Sequence, residues 1–577
     1  MTMNLEDLIV LFLDCQTTGA NPQKGDVIEI GWARSDTFLY EEKPQQKMET
    51  YFVKAPREQI IPKRIQTVTG ICQENIASGM SAGEVWQKLV TTAEDIAQLD
   101  DMETCPVIIH YAKFEEPFLR DLHEHHGSRR DFPLNIICTH EIARRLFPAL
   151  PRRGIRALAG YYGYSVQEQR RCRNHIVATA VIWRELIKSL KKEYTVHTFE
   201  QLVKWLKEMP IHVHFYRAYP MGARERRHLP DKPGVYRMLR SNGDVLYVGK
   251  ATSIRKRVNG YFRKRTRHAE HILEMLSQAK QLDITETGSA LEAAILESDE
   301  IKQYVPPYNI ALKKRQRGIW FCTSDFKKWN TTPSIKYCIG PFASKIPAQQ
   351  LAAIRDMTMI CADKPDEGDL YTAFGMSQDY APGVECVRQG FELFWKKHAR
   401  ALRAVPAKYA LNKLGKELWL QRRAEQETAI DDDDTETDEI HGHVWRPESV
   451  AGIIEANVLK GTHSVRRARW LVWLTESSIA WEETDNSRKG RILLVFENGE
   501  IVHREHLISG KDIPAPPGYI KGFNERQYCF DLMTLDRMMV VTTEIRRIVS
   551  TGNWIGIRFS PELLVDSVKL ARILRWI

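Results

Sequence analysis

Short apolar runs separated by polar segments predict an α/β arrangement at the start of the chain. Apolar runs at residues 9–14 and 27–31 predict two strands, because each is short and is bounded by polar residues or glycine. A third run at 107–110 predicts another strand, and apolar residues spaced three and four apart at 176–190 predict a helix. We therefore assign residues 1–190 to one α/β unit, the N-terminal fold.

A β-hairpin is the sharpest local pattern in the sequence. Apolar segments at 235–239 and 245–248 flank the dipeptide Asn242-Gly243, and Asn-Gly favours the tight turns that join two antiparallel strands. Helical spacing follows within the same stretch, up to about Tyr304. We name residues 229–315 the hairpin module.

The pattern over all 577 residues predicts a multidomain α/β protein. The predicted segments are the N-terminal fold at 1–190, a helical connector at 191–228, the hairpin module at 229–315, a continuation at 316–424, an acidic linker at 425–443 and an α+β region at 444–577. The sequence says little about the role of the region beyond residue 320.

Composition excludes several classes of protein. No apolar run approaches the roughly 20 residues that a membrane helix needs, and the first run has no basic segment before it, unlike a signal peptide. The ten cysteines include no C-x-x-C pair, which indicates free thiols in a reducing compartment. We therefore predict a cytoplasmic protein without a membrane association.

Basic charge is concentrated in and around the hairpin module. Residues 224–317 contain 20 Lys/Arg and 11 Asp/Glu, and this difference of +9 equals the net charge of the whole chain. Such a surplus predicts contact with a nucleic-acid backbone, although a solvated basic surface would give the same pattern. The predicted DNA-binding residues are Arg255, Lys256, Arg263, Lys264, Arg265, Lys313, Lys314 and Arg315.

The module combines residue types that suit phosphodiester cleavage. Strand alternation allows Tyr236 and Tyr247 to share one face of the hairpin, and helical spacing places Glu297 along a largely apolar face. A carboxylate in such a position is costly unless it binds a cation or a strong donor. A metal-bound carboxylate with basic side chains could stabilise charge on a phosphoryl group; the alternative is a pair of core tyrosines with a structural salt bridge.

The complete set of motifs resembles the GIY-YIG nuclease family. The set comprises Gly234-Val235-Tyr236, Tyr247-Val248-Gly249-Lys250, Arg257, Leu296-Glu297-Ser298 and Tyr308-Asn309, and residues 229–238 with Tyr261-Phe262 resemble the nuclease domain of the UvrC and Cho excision-repair proteins. The resemblance implies that Glu297 is the ligand of a single Mg²⁺ or Mn²⁺ ion and that Tyr247 or Tyr236 is the base or base relay. It further implies Lys250 and Arg257 as the phosphate-binding and tyrosine-activating cations and Asn309 as a positioning donor.

Some relatives of this family carry an iron–sulfur cluster after the nuclease domain. The cysteines that follow the module here are widely spaced and form no short pair: Cys322, Cys338, Cys361 and Cys386. Cluster ligands are usually set closer together, so we expect no iron–sulfur cluster.

The N-terminal fold resembles DnaQ-like 3′–5′ exonucleases, which have an RNase H-like fold. Residues 12–19, 110–119 and 175–180 are similar to the three motifs of that family. The family binds two metal ions with four carboxylates and uses a histidine as base, whereas this chain departs from the pattern at three positions. Gln16, Glu115 and Ala180 are the three departures, whereas Asp14 and His175 are retained.

These departures predict an inactive exonuclease site, because two carboxylates cannot balance two divalent cations. Glu116 and Glu185 are conceivable substitutes, but each is expected to point elsewhere on its helix. A weak single-metal activity stays open. The fold would then position DNA or a partner, and a basic set could line its groove: Arg152, Arg153, Arg170, Arg171 and Arg173.

We therefore predict a metal-dependent DNA endonuclease of the nucleotide-excision-repair type. Its partners would be DNA and UvrA- or UvrB-type repair proteins, or the replication machinery. Two alternatives remain: a 3′–5′ exonuclease activity of the N-terminal fold, and a DNA-binding adaptor without catalytic activity.

Overall fold

The computed structural model forms two compact parts, residues 1–293 with 304–310, and residues 294–303 with 311–577. We describe each part by itself. The structure describes residues 4–36, 48–54, 60–99, 101–127, 131–211, 217–263, 267–309, 318–359, 384–403, 407–428, 445–485, 488–507, 511–575 and 577.

A five-stranded mixed sheet is the centre of the N-terminal fold. Its strands are β1 (Leu11–Thr17), β2 (Val27–Arg34), β3 (Glu49–Phe52), β4 (Cys105–Ile109) and β5 (Leu134–Cys138), in the order β3-β2-β1-β4-β5. β1 is antiparallel to β2 and parallel to β4, so both kinds of pairing meet at β1. All seven residues of β1 are buried, as expected for a central strand covered on both faces.

Helices cover both faces of this sheet. They are α1 (Lys63–Thr69), α2 (Gln73–Ala77), α3 (Ala82–Leu99), α4 (Ala112–His126), α5 (Thr139–Leu146), α6 (Ile155–Tyr161), α7 (Cys172–Tyr194) and α8 (Phe199–Glu208). One apolar core lies among β1, α3 and α4, and the other lies among β1, α6, α7 and α8. The second core therefore extends beyond residue 190, into the predicted connector.

The hairpin module contains a three-stranded antiparallel sheet in the order β7-β6-β8. Its elements, with the short helix before it, are α9 (Arg224–Arg227), β6 (Gly234–Leu239), β7 (Val245–Ala251), α10 (Ile254–Gly260), α11 (Glu270–Gln278), β8 (Gln281–Glu286) and α12 (Ala290–Tyr304). The turn between β6 and β7 has Gly243 at φ 91°, a conformation that glycine adopts without strain. Ser253 caps α10 by accepting a hydrogen bond from the Lys256 backbone amide at 3.2 Å.

The second part consists of helices and two sheets. The helices are α13 (Ile346–Met359), α14 (Val384–Arg403), α15 (Ala407–Thr428), α16 (Pro447–Leu474), α17 (Phe523–Gln527), α18 (Leu532–Ser550) and α19 (Ser567–Leu574). The strands are β9 (Trp320–Cys322), β10 (Trp329–Asn330), β11 (Ile339–Phe342), β12 (Ser477–Asp485), β13 (Arg488–Glu497), β14 (Glu500–Leu507), β15 (Ile555–Arg558) and β16 (Leu564–Asp566). The five-stranded sheet has the order β14-β13-β12-β15-β16, and all of its pairings are antiparallel.

The predicted acidic linker coincides only in part with the described residues. α15 continues to Thr428 and so includes the first four residues of that segment, while 429–444 lie outside the described residues. Within the ranges that the structure describes, no helix combines the length and the apolar character that crossing a membrane requires.

Candidate functional site

The β6–β7 pairing brings the two predicted tyrosines together. Tyr236 lies opposite Gly249, and Tyr247 precedes Gly249 by two residues, so both tyrosines project from the same face of the sheet. Their ring centroids are 6.1 Å apart. The hairpin register therefore produces the shared face that the alternation of residues predicts.

Gly249 makes this tyrosine arrangement possible. A β-carbon at position 249 would lie 2.5 Å from the Tyr236 hydroxyl oxygen and 2.7 Å from a ring carbon of Tyr247. Both separations are far below van der Waals contact, so any side chain would displace a ring. The φ of Gly249 is not in the left-handed region, so glycine is required here because of the close tyrosine rings and not because of the backbone conformation.

Tyr236 is completely buried, and its hydroxyl hydrogen-bonds that of Tyr261 at 3.0 Å. The Arg257 guanidinium lies 5.3 Å from the Tyr261 ring centroid, one helical turn earlier in the chain. Burial raises the pKa of Tyr236 well above its ordinary value, with the neighbouring tyrosines acting in the same direction and Arg257 acting against them. Tyr236 in turn raises the pKa of Arg257, which remains a cation.

Tyr261 is a member of this cluster that the sequence analysis assigned no role. Its spacing four residues after Arg257 was the available signal, because residues i and i+4 meet on one helical face. The His268 ring stacks on Tyr261 at 5.9 Å, and its Nε2 lies 2.7 Å from the Tyr261 carbonyl oxygen. Tyr261 is thus in contact with Tyr236, Arg257 and His268.

Tyr247 and Lys250 are both half-buried. Tyr247 is the more accessible of the two signature tyrosines, since Tyr236 has no exposed surface. Lys250 pairs with Val235 in the sheet and so alternates with Gly249 along β7. Strand alternation therefore directs Lys250 to the face opposite Tyr247, and Arg257 is the cation beside the tyrosines.

The Asn309 side chain is bound to the backbone of β7. Its Oδ1 accepts from the Val248 amide at 2.9 Å, and its Nδ2 donates to the Val248 carbonyl at 2.7 Å. The side chain is buried, so both hydrogen bonds are shielded from water. Asn309 thereby fixes the residue between Tyr247 and Gly249.

Glu297 occupies α12, between the buried residues Ala294 and Ile301 on one side of that helix. Its own side chain is half-buried. A single carboxylate suits a hard cation such as Mg²⁺, which commonly binds one or two carboxylates and keeps several waters. Within the described ranges, no three His, Cys, Asp or Glu side chains are grouped so that they could hold a metal ion.

The predicted DNA-binding residues differ in their surroundings. Arg255 donates to the Leu229 carbonyl at 2.6 Å, Lys256 lies 3.8 Å from an Asp231 oxygen, and Arg263 is exposed. The others lie outside the described residues: Lys264, Arg265, Lys313, Lys314 and Arg315.

In the N-terminal fold, both carboxylate oxygens of Asp14 contact neighbouring side chains. Oδ1 lies 3.0 Å from His175 Nδ1, and Oδ2 accepts from Gln16 Nε2 at 2.7 Å. Burial lowers the pKa of His175, but the Asp14 carboxylate outweighs burial and raises it overall. The neutral Gln16 amide thus occupies the carboxylate edge where a second acid would share a cation.

Glu115 is also buried close to β1. Its Oε2 accepts from the Cys15 amide at 3.2 Å, while burial and then the charge of Asp14 raise the pKa of its carboxyl well above the ordinary value. Position 180 is a buried alanine and supplies no ligand. These residues do not fit a two-metal centre.

The two substitute carboxylates considered from the sequence are engaged elsewhere. Glu116 pairs with Arg120 at 2.6 Å, and Glu185 pairs with Lys188 at 2.7 Å. Each pair is formed within its own helix, the first in α4 and the second in α7.

The basic groove predicted for this fold is only partly available. Arg171 pairs with buried Glu29 at 2.7 Å, Arg152 pairs with Glu270, and Arg153 donates to three backbone carbonyls. These three arginines therefore make contacts within the protein, and their lining of a nucleic-acid groove stays a prediction.

Comparison with known proteins identifies both regions. Residues 232–310 match the model of the UvrC-like GIY-YIG domain, and residues 11–175 match an exonuclease model. The chain carries a UvrC-like GIY-YIG domain. It also carries an exonuclease domain before it, so the predicted order of an exonuclease fold followed by a GIY-YIG nuclease fold is confirmed.

Two relatives illustrate the extent of the similarity. A Mycobacterium tuberculosis protein, provisionally named as a bifunctional exonuclease/endonuclease, is 27% identical over 300 residues, which are 51% of this chain and 44% of the relative. The UvrABC system protein C of Clostridium botulinum is 45% identical over 87 residues, 15% of this chain and 14% of that protein. The chain therefore matches less than half the length of either relative.

Solved structures match the same two regions. The GIY-YIG endonuclease domain of Thermotoga maritima UvrC, described as bound to magnesium, is 31% identical and covers 15% of this chain and 94% of that domain, with a TM-score of 0.14. The nuclease domain of 3′hExo, described as a DEDDh family member bound to rAMP, is 13% identical and covers 32% of this chain and 92% of that domain, with a TM-score of 0.25.

Proposed function

We propose that the protein is a metal-dependent DNA endonuclease of the nucleotide-excision-repair type, which cuts the DNA backbone through its GIY-YIG domain. One observation carries the proposal: the matched domain holds both signature tyrosines on one sheet face beside the Arg257 cation. A perturbed pKa beside a specific charge partner is typical of functional sites.

The proposed roles follow from accessibility and charge. Glu297 would hold one Mg²⁺ or Mn²⁺ ion, which when bound polarises the phosphoryl oxygen and offsets its negative charge. In its phenolate form, Tyr247, the half-buried tyrosine, would accept the proton of the attacking water and become neutral. Tyr236 would hold the cluster through its hydrogen bond with Tyr261, and Arg257 would stabilise the phenolate before the proton is transferred.

Lys250 and Asn309 have supporting roles in this proposal. Lys250 would contact the DNA backbone, together with the exposed cations Lys256 and Arg263. Asn309 would hold β7 in register through its two hydrogen bonds to Val248.

The N-terminal fold would position DNA or a partner and would not cut. The residues at positions 16 and 180 support this part of the proposal, because Gln16 and Ala180 replace two of the carboxylates that a two-metal centre uses. Proteins of the UvrA or UvrB type are the proposed partners, in view of the similarity to UvrABC system protein C. In a bacterial cell, this role would place the protein in the cytoplasm.

A plasmid-nicking assay with the full chain tests the proposal. Supercoiled DNA with Mg²⁺ or Mn²⁺ should be converted to the open-circular form, and Glu297→Gln should lower the rate by about 10³-fold, the scale of several kcal/mol of lost electrostatic stabilisation. Glu286→Gln is the matched control, since Glu286 is an exposed carboxylate of the same module paired with Lys232. It should leave the rate unchanged.

The alternatives predict different outcomes. DNA binding that falls with salt, but without nicking under either metal, would favour the non-catalytic adaptor. Trimming of an end-labelled strand that persists in Glu297→Gln and disappears in Asp14→Asn would favour the 3′–5′ exonuclease.

A further inference from the structure

The N-terminal fold and the hairpin module contact each other through α6 and α11, both within the first compact part. Gly160 of α6 approaches α11 very closely, because a β-carbon there would lie 1.9 Å from Oε1 of Gln278. Gly160 and Gln278 are both buried. The two helices can therefore pack this closely only with glycine at position 160.

Gln278 is hydrogen-bonded in this contact although it has no exposed surface. Its Oε1 accepts from Nε of buried Arg240 at 3.0 Å, and its Nε2 donates to the Tyr308 hydroxyl. A displacement of this amide would leave buried polar groups without partners, which is costly. The position of Gln278 is thus set from both sides, by Gly160 and by its hydrogen bonds.

The N-terminal fold also supplies a charge to this cluster. Arg156 of α6 lies 3.4 Å from an oxygen of Glu274, and its guanidinium is 5.6 Å from the Tyr308 ring centroid. The Tyr308 hydroxyl donates to the same Glu274 oxygen at 2.6 Å. Arg156, Glu274 and Gln278 therefore converge on one tyrosine.

Tyr308 connects this cluster to β7. Its backbone amide donates to the Leu246 carbonyl at 3.1 Å, and the next residue, Asn309, holds Val248 by two hydrogen bonds. Leu246 and Val248 flank Tyr247. A continuous set of contacts thus runs from α6 to the strand that carries the second signature tyrosine.

We infer that the N-terminal fold holds the GIY-YIG strand in position through Gly160 and Arg156, which act as positioning residues on Gln278, Glu274 and Tyr308. This inference rests on the proposed function for its catalytic consequence, but the mechanical coupling is a separate claim. This contribution to endonuclease activity would not require the exonuclease-like fold to bind a metal, and it is separate from any positioning of DNA.

Gly160→Ala tests the coupling, with Gly154→Ala as the matched control. Both substitutions lie at α6, and a β-carbon at 154 meets nothing within 4 Å. Alanine favours a helix more than glycine does, so loss of α6 would not explain an effect at 160. In the full chain, Gly160→Ala should speed hydrogen exchange in the peptide 245–251 and lower kcat about tenfold with little change in KM.

Arg156→Ala should also speed hydrogen exchange in the peptide 245–251 and lower kcat, but by less than Gly160→Ala. Arg156→Lys should recover part of the wild-type exchange rate and kcat. Gly154→Ala should change neither measurement. Unchanged exchange in both Gly160→Ala and Arg156→Ala would overturn the coupling, whether or not the protein nicks DNA. Faster hydrogen exchange in the peptide 245–251 with an unchanged kcat would overturn the positioning role. A wild-type chain that does not nick DNA would refute the proposed function, and the hydrogen-exchange rates would still decide whether the coupling exists.

Discussion

The two nuclease folds of this chain differ in how they satisfy their polar side chains. In the exonuclease domain, Asp14 makes its contacts with Gln16 and His175, so both carboxylate oxygens are engaged within the protein. In the GIY-YIG domain, the rings of Tyr236 and Tyr247 lie close together, Arg257 acts on the pKa of Tyr236, and Tyr247 keeps an accessible surface. The fold is kept in both domains, and a few side chains decide whether a reactive group remains available.

The largest expected difference between the two sites is in catalysis. Tyr247→Phe should lower the rate of plasmid nicking by about 10²–10⁴-fold, the usual contribution of a general base. Asp14→Asn should leave nicking unchanged, because the exonuclease site takes no part in it. Rates measured at saturating Mg²⁺ and Mn²⁺ check both variants, and a Tyr247→Phe protein with the wild-type rate would remove the contrast.

A smaller effect is expected from the cation at the tyrosine cluster. Arg257 opposes the rise in the pKa of Tyr236 that burial causes, so Arg257→Gln should raise the pKa of Tyr236 further. The rate should fall about 10–100-fold at neutral pH, and the rising limb of the pH–rate profile should move to higher pH. Arg257→Lys should shift the rising part of the pH–rate profile less than Arg257→Gln does. A shift to lower pH in Arg257→Gln would contradict the role of Arg257 in stabilising the phenolate.

The smallest expected effect concerns the stability of the exonuclease domain. Burial raises the pKa of Glu115 above its unfolded value, so its contribution to stability is complete below the ordinary carboxyl pKa and is lost as the pH rises through the folded value. Glu115→Gln should reduce the fall in unfolding free energy between pH 5 and pH 8 by on the order of 1 kcal/mol. Urea unfolding at several pH values measures this slope, for which Glu116→Gln, at a half-buried position of the same helix, is the control. Identical slopes would show that Glu115 does not titrate as the structure indicates.

The sequence predicts the hairpin and its tyrosine face because both depend on local rules. The Asn242-Gly243 turn sets the register, and period-two alternation then places Tyr236 and Tyr247 together. The sequence does not predict the contact of Gly160 with Gln278 or the pairing of Arg171 with Glu29, since both join residues more than 100 positions apart. For the same reason, the arginines of the N-terminal fold were interpreted as a groove lining when several are structural.

The alternation of apolar and polar residues also does not reveal which group a polar side chain hydrogen-bonds. The resemblance implied Asn309 as a positioning donor, and the structure adds that its amide spans both backbone groups of Val248. The role of Tyr261 was not predicted because a tyrosine at the end of a helix usually packs in the core. Roles for these residues in cleavage stay predictions until the variants are measured.

The hydrogen bonds of Tyr308 and Asn309 have a consequence for solubility. β7 is an outer strand of its sheet, and an outer strand with unpaired backbone groups can recruit a strand from another molecule. Here the Leu246 carbonyl and both backbone groups of Val248 are already bonded by the segment that follows α12. That segment takes the place of a fourth strand along this stretch, so the edge next to the signature tyrosine offers an incoming strand no free backbone groups at Val248.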